Sequence, residues 1–145
     1  YSGRGGGVVR LEISSLLTLD GALNANGGPS LEGHAAGGAG GSVFVITRLL
    51  SSGTSSTITA TGGNGMGNGG GGGGGRIAVW VGPDRTQVDD YVTLGRGAIE
   101  PYVKFAGTAS VTNGAGYYNG APDGAEPGTL RFIQLVKRGT LVLIR

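Results

Sequence analysis

Four times along the chain a glycine precedes a segment in which apolar residues recur at every second position. These are Gly7-Val8-Val9-Arg10-Leu11, Gly41-Ser42-Val43-Phe44-Val45, Gly75-Arg76-Ile77-Ala78-Val79 and Gly128-Thr129-Leu130-Arg131-Phe132. A period of two predicts strands, and the β-branched content agrees. The four glycines stand 34, 34 and 53 residues apart. A second motif interleaves with the first. Ala22-Leu23-Asn24-Ala25-Asn26-Gly27-Gly28 aligns with Thr57-Ile58-Thr59-Ala60-Thr61-Gly62-Gly63, 35 residues on. A weaker copy, Ser110-Val111-Thr112-Asn113-Gly114, follows after a further 53. Each unit reads as strand, turn, strand, short strand and a glycine-rich excursion. The third unit carries an insertion near 82–107, and the last ends in another strand pattern, Gly139-Thr140-Leu141-Val142-Leu143-Ile144.

Repeats too small to bury their own apolar face become stable by stacking. The expected fold class is all-β, a short parallel β-solenoid (β-helix) of about four coils in one domain spanning 1–145. Val9, Val43, Ile77 and Leu130 would form one ladder, and Leu11, Val45, Val79 and Phe132 another. Leu23, Ile58 and Val111 would form a third. At about 4.8 Å per coil the stack would be roughly 19 Å tall, with open ends. The alternative is an antiparallel β-sandwich, in which sequence neighbours pair as hairpins.

Composition sharpens this picture. Glycine supplies 34 of 145 residues, and residues 62–75 alone hold 11. Glycine costs roughly 1 kcal/mol per helical position relative to alanine, which excludes a helical bundle. Collagen is excluded because glycine does not recur at every third residue. Low charge and abundant Val, Ile and Leu argue against a disordered chain. The run Gly69 to Gly75 can be a flexible loop. It can also be a packed polyglycine-II helix beside the glycine tract at 27–41, because only glycine allows such close approach.

Cysteine is absent, which removes disulfides, thiolate metal sites and a cysteine nucleophile. No apolar run reaches membrane-spanning length. A net charge of +2 gives no argument for nucleic acid. A chain that starts at Tyr1 is expected to be a processed product or an excised piece.

Candidate chemistry is sparse. His34 is the single histidine and lies in a glycine loop, without a partner for a metal site. Asp84, Asp89 and Asp90 are loop carboxylates that could bind calcium with backbone carbonyls. Paired catalytic acids, a nucleophile elbow and a phosphate-binding loop are not found. Trp80 either packs under the insertion or stands as an exposed anchor. Tyr117 and Tyr118, in a turn context, are candidate surface contacts. Thr57, Thr59 and Thr61 form an alternating row of the kind used by ice-binding solenoids.

The Gly-Gly-x-[Val/Ile]-x-[Val/Ile] strands, the Leu/Ile-x-Ala-x-Gly-Gly second strands and the glycine run closing on Arg76-Ile77-Ala78-Val79 resemble the glycine-rich repeats of large extracellular surface proteins. The likeness covers most of the chain outside 82–107 and implies a parallel β-helix of the adhesin type. A weaker likeness is to the glycine-rich domains of animal receptor kinases, whose cysteines are missing here.

The function expected is a structural or adhesive extracellular or cell-surface module, not an enzyme, and without a cofactor. Its expected partners are copies of itself in a head-to-tail fibre. Val8, Val9 and Leu11 at one end would join Thr140, Leu141, Val142, Leu143 and Ile144 at the other by strand addition. Polysaccharide is a second candidate partner. A carbohydrate-binding or polysaccharide-active β-helix and an ice- or surface-binding protein are the alternatives.

Overall fold

Backbone pairing follows the alternating pattern. The computed structural model describes residues 1–82, 105–118, 121–122 and 125–135. Among the described residues nine strands are formed: β1 (Val8–Leu19), β2 (Ala22–Asn24), β3 (Ser42–Ser52), β4 (Thr57–Thr59), β5 (Arg76–Val81), β6 (Thr108–Ser110), β7 (Tyr117–Tyr118), β8 (Ala121–Pro122) and β9 (Thr129–Gln134). No helix occurs among the described residues.

One parallel sheet has the order β1-β3-β5-β9, and a second parallel sheet has the order β2-β4-β6. The pair β7 and β8 is antiparallel. A sandwich of hairpin-paired neighbours is therefore excluded, because both larger sheets join strands from successive repeats. In the first sheet Val9, Val43, Ile77 and Leu130 are aligned, as are Leu11, Val45, Val79 and Phe132. These are the ladders predicted from the sequence.

The third ladder is different. Leu23 lies beside Ile58, but Ile58 lies beside Ala109 and not Val111. The third copy is thus shifted by two residues from the sequence alignment. A two-residue shift keeps every side chain on its own face, so the apolar pattern alone does not detect it. Glycine packing fixes the register instead. A methyl built on Gly114 would collide with the Gly63 carbonyl, so Gly114 must sit over Gly63.

The core lies between the sheets, where Val43, Val45, Ile58, Ile77 and Val79 are no more than 1% exposed. Burying each such side chain stabilises the fold by roughly 1.5–3 kcal/mol. Thr47 is the polar exception. Its hydroxyl lies 2.8 Å from the Leu49 carbonyl and 3.2 Å from the Ser15 carbonyl. It thereby spans a β-bulge, where Ser14 and Ser15 of β1 face Arg48 alone on β3. Farther along, the buried Ser56 hydroxyl donates to the Leu19 carbonyl. On the outer face of the first sheet, Trp80 is buried with Ile133 and Leu135 against Phe44, Ile46 and Ala78. Trp80 is therefore not an exposed anchor.

The glycine tracts complete each repeat. Gly3 and Gly6 donate to the Ala36 and Ala39 carbonyls, and Gly37 and Gly40 donate to those of Gly70 and Gly73. Donors three residues apart meet acceptors three residues apart, the period of a polyproline-II-type helix. A second line of bonds runs across the tracts. Gly28 donates to Arg4, Gly38 to Gly28, Gly63 to Gly38, Gly72 to Gly63 and Gly114 to Gly72, all at 2.8–2.9 Å. The buried amides of the tracts thus find partners outside the strands. All five bonds point the same way, an arrangement in which neighbouring bonds polarise one another.

Glycine is needed here for space rather than for unusual dihedral angles. Among the described glycines only Gly67 and Gly82 have positive φ. By contrast, a methyl on Gly38, Gly63, Gly72 or Gly75 would stand closer than 3.0 Å to a neighbouring backbone.

Candidate functional site

The end of the stack formed by the first repeat differs from its interior. β1 and β2 are edge strands of their sheets among the described residues. The Ser42 amide donates to the Gly7 carbonyl. The alternation of a parallel ladder then turns the amides of Val8 and Arg10 away from β3. Val8 is 77% exposed. Val9, Leu11 and Leu17 point into the core yet are only half-buried, whereas Val43 and Val45 on β3 are fully buried. Leu23 on β2 shows the same contrast with Ile58. The interior of the fold is therefore partly open at this end.

The glycines give a second mark of the same opening. A methyl on Gly41 would strike Gly7, one on Gly75 would strike Gly41, and one on Gly128 would strike Gly75. A methyl on Gly7 itself would meet nothing within 4 Å. Gly28 likewise has its nearest neighbour at 3.5 Å, while its counterparts Gly63 and Gly114 allow no methyl. Gly7 thus carries the glycine that interior contacts require at a position where no contact is made, and Gly28 at one where a methyl would meet Arg4 only at ordinary contact distance.

Arg4 breaks that pattern. It occupies the place of Gly38 and Gly72, whose missing side chains would point at the preceding tract. The Arg4 side chain is exposed. A charge at the margin of an unpaired edge disfavours indiscriminate pairing. Two further ionic contacts lie near this end. The N-terminal ammonium is 2.9 Å from Glu32, and Arg10 pairs with Glu12 while lying 5.4 Å over the Phe44 ring.

Of the predicted interface residues, Val8, Val9 and Leu11 lie together on β1. Thr140 to Ile144 lie outside the described residues, as do Asp84, Asp89 and Asp90. Tyr117 and Tyr118 form one strand of the small antiparallel pair, opposite Pro122 and Ala121. His34 is exposed with φ of 62°, and its Nδ1 accepts from the Asn68 amide at 3.3 Å. Among the described residues no three His, Asp or Glu side chains gather into a metal site. Sequence reasoning missed Arg4, Gly7 and Gly28 at the open end. The signal was present in the aligned repeats, where Arg4 stands in a column of glycines. No protein-family model, curated protein or solved structure matches the chain.

Proposed function

We propose that this chain is a structural or adhesive module of a cell surface or extracellular fibre. In this reading it is a parallel β-solenoid of about four coils whose excursions are polyglycine-II helices. Its first coil receives the last coil of another copy by strand addition, in register with β1. The sequence Thr140-Leu141-Val142-Leu143-Ile144 supplies the complementary strand. A head-to-tail contact of this kind does not close on itself and propagates as a filament.

The observation that carries the reading is the half-buried state of Val9 and Leu11 beside the fully buried Val43 and Val45. An added strand would remove their remaining apolar surface from water, worth about 25 cal/mol per Å². The adhesive side of the reading rests on sequence resemblance alone.

Sedimentation velocity across a concentration series, with electron microscopy of the same samples, tests joining. The Val8→Pro variant removes an amide directed away from β3 and leaves the β1–β3 ladder intact. Wild-type filaments and a monomeric Val8→Pro protein are expected. Deletion of residues 139–145 should also abolish filaments. Filaments of normal length from both variants would contradict strand addition at these ends.

A further inference from the structure

The outward face of the second sheet carries a two-dimensional array of neutral polar side chains. Register places Ala22, Thr57 and Thr108 side by side, then Asn24, Thr59 and Ser110. The ladder continues past the strands, because Gly27 donates to the Thr61 carbonyl and Gly62 to the Thr112 carbonyl. Asn26, Thr61 and Thr112 therefore form a third line. The strands present Ala-Asn-Asn, Thr-Thr-Thr and Thr-Ser-Thr, with no charged or aromatic residue among them. Neighbours are about 6.6 Å apart along a strand and about 4.8 Å apart across strands.

Three properties suit this face to a periodic hydrogen-bonding surface. It is open: Ala22, Asn24, Thr108 and Thr112 are exposed, and Thr57, Thr59 and Thr61 in the middle are half-exposed. Its hydroxyls are available. Ser110 Oγ lies 3.4 Å from Thr112 Oγ1, and among the described residues Thr57, Thr59, Thr61 and Thr108 make no side-chain hydrogen bond. It is also rigid, since β-branched threonine is stiff at χ1 and the strands are locked in register. Asn26 helps to lock them, because its side-chain oxygen accepts from the Thr61 amide at 2.8 Å.

We propose that this face binds the surface of ice. A partner complementary to the array must be neutral, must both donate and accept hydrogen bonds, and must repeat in two dimensions. Each threonine also sets a methyl beside its hydroxyl, which confines the water that the hydroxyl orients. A single sugar or peptide would engage only a few of these positions, and an ionic partner finds no countercharge. The site does not depend on end-to-end joining, although joining would add rows at the same spacing.

Incorporation of the protein into slowly growing polycrystalline ice tests the proposal. A non-binding protein of similar size serves as the reference, and thermal denaturation checks folding. Wild type is expected to be enriched in the ice fraction. Thr59→Lys, at the centre of the array, and Thr112→Lys, at its exposed margin, should each reduce incorporation to the reference level without lowering the melting temperature. Thr18→Lys, an equal change of charge on exposed β1, should retain it. If Thr59→Lys unfolds the protein, Thr112→Lys decides. The proposal is overturned if wild type is excluded from ice, if the array variants are incorporated normally, or if Thr18→Lys abolishes incorporation equally. Retention on microcrystalline cellulose together with exclusion from ice would also overturn it.

Discussion

Two adjacent residues of the poly-glycine run make different demands. A methyl on Gly72 would collide with the Gly38 carbonyl. A methyl on Gly73 would stand 3.6 Å from the Glu126 carbonyl, an ordinary contact. The side of the tract that tolerates side chains is already used by the exposed Ala36 and Ala39 in the preceding repeat. Gly72→Ala should therefore destabilise the protein by about 3 kcal/mol or prevent folding, as overpacking does. Gly73→Ala should be neutral or stabilising by up to about 1 kcal/mol, through a less flexible unfolded chain. Urea denaturation of the two variants measures the difference. Equal midpoints would show that the tract is a loop without close packing.

The strands and tracts were unequally legible in the sequence. In the first sheet glycine and apolar residue keep a fixed offset, and alignment on Gly7, Gly41, Gly75 and Gly128 gave the register residue by residue. In the second sheet the third repeat has Asn113 where Gly62 stands in the second, and matching Val111 to Ile58, rather than Gly114 to Gly63, slipped by two. That slip concealed the row Thr108, Ser110 and Thr112 beside Thr57, Thr59 and Thr61. The choice between loop and packed helix for Gly69 to Gly75 was not legible either. It depends on backbone contacts between tracts, which leave no side-chain pattern beyond the glycines themselves. The bulge was also hidden, because a threonine in the inward column after Val43 and Val45 gives no sign of the carbonyls it meets. Thr47→Val keeps its shape and leaves the Ser15 and Leu49 carbonyls without the hydroxyl. A loss of about 1–2 kcal/mol is expected in urea denaturation. An unchanged midpoint would mean that the bulge is held by the backbone alone.

At the scale of the whole molecule, the proposed joining would meet both an opening and an obstruction at the first repeat. Gly7 faces open space, while Arg4 places a side chain where interior repeats have none. Natural proteins manage unpaired edges with such charges. Arg4→Gly should therefore promote assembly, with larger species in sedimentation velocity at equal protein concentration. Its effect on the folded protomer should be small, because the Arg4 carbonyl still accepts from Gly28. No increase in size would show that Arg4 does not limit access to the end.

The fold depends on glycine tracts that are bonded to one another as strands are. Scalar couplings transmitted through hydrogen bonds, measured by NMR on protein labelled with ¹⁵N and ¹³C, identify each donor and its carbonyl directly. The expected couplings link the Gly28 amide to the Arg4 carbonyl, Gly38 to Gly28, Gly63 to Gly38, Gly72 to Gly63 and Gly114 to Gly72. The same amides should be protected from solvent exchange, in contrast to the exposed loop residue Gly33. Absence of these couplings, with the glycine amides exchanging as fast as in an unfolded chain, would contradict the account.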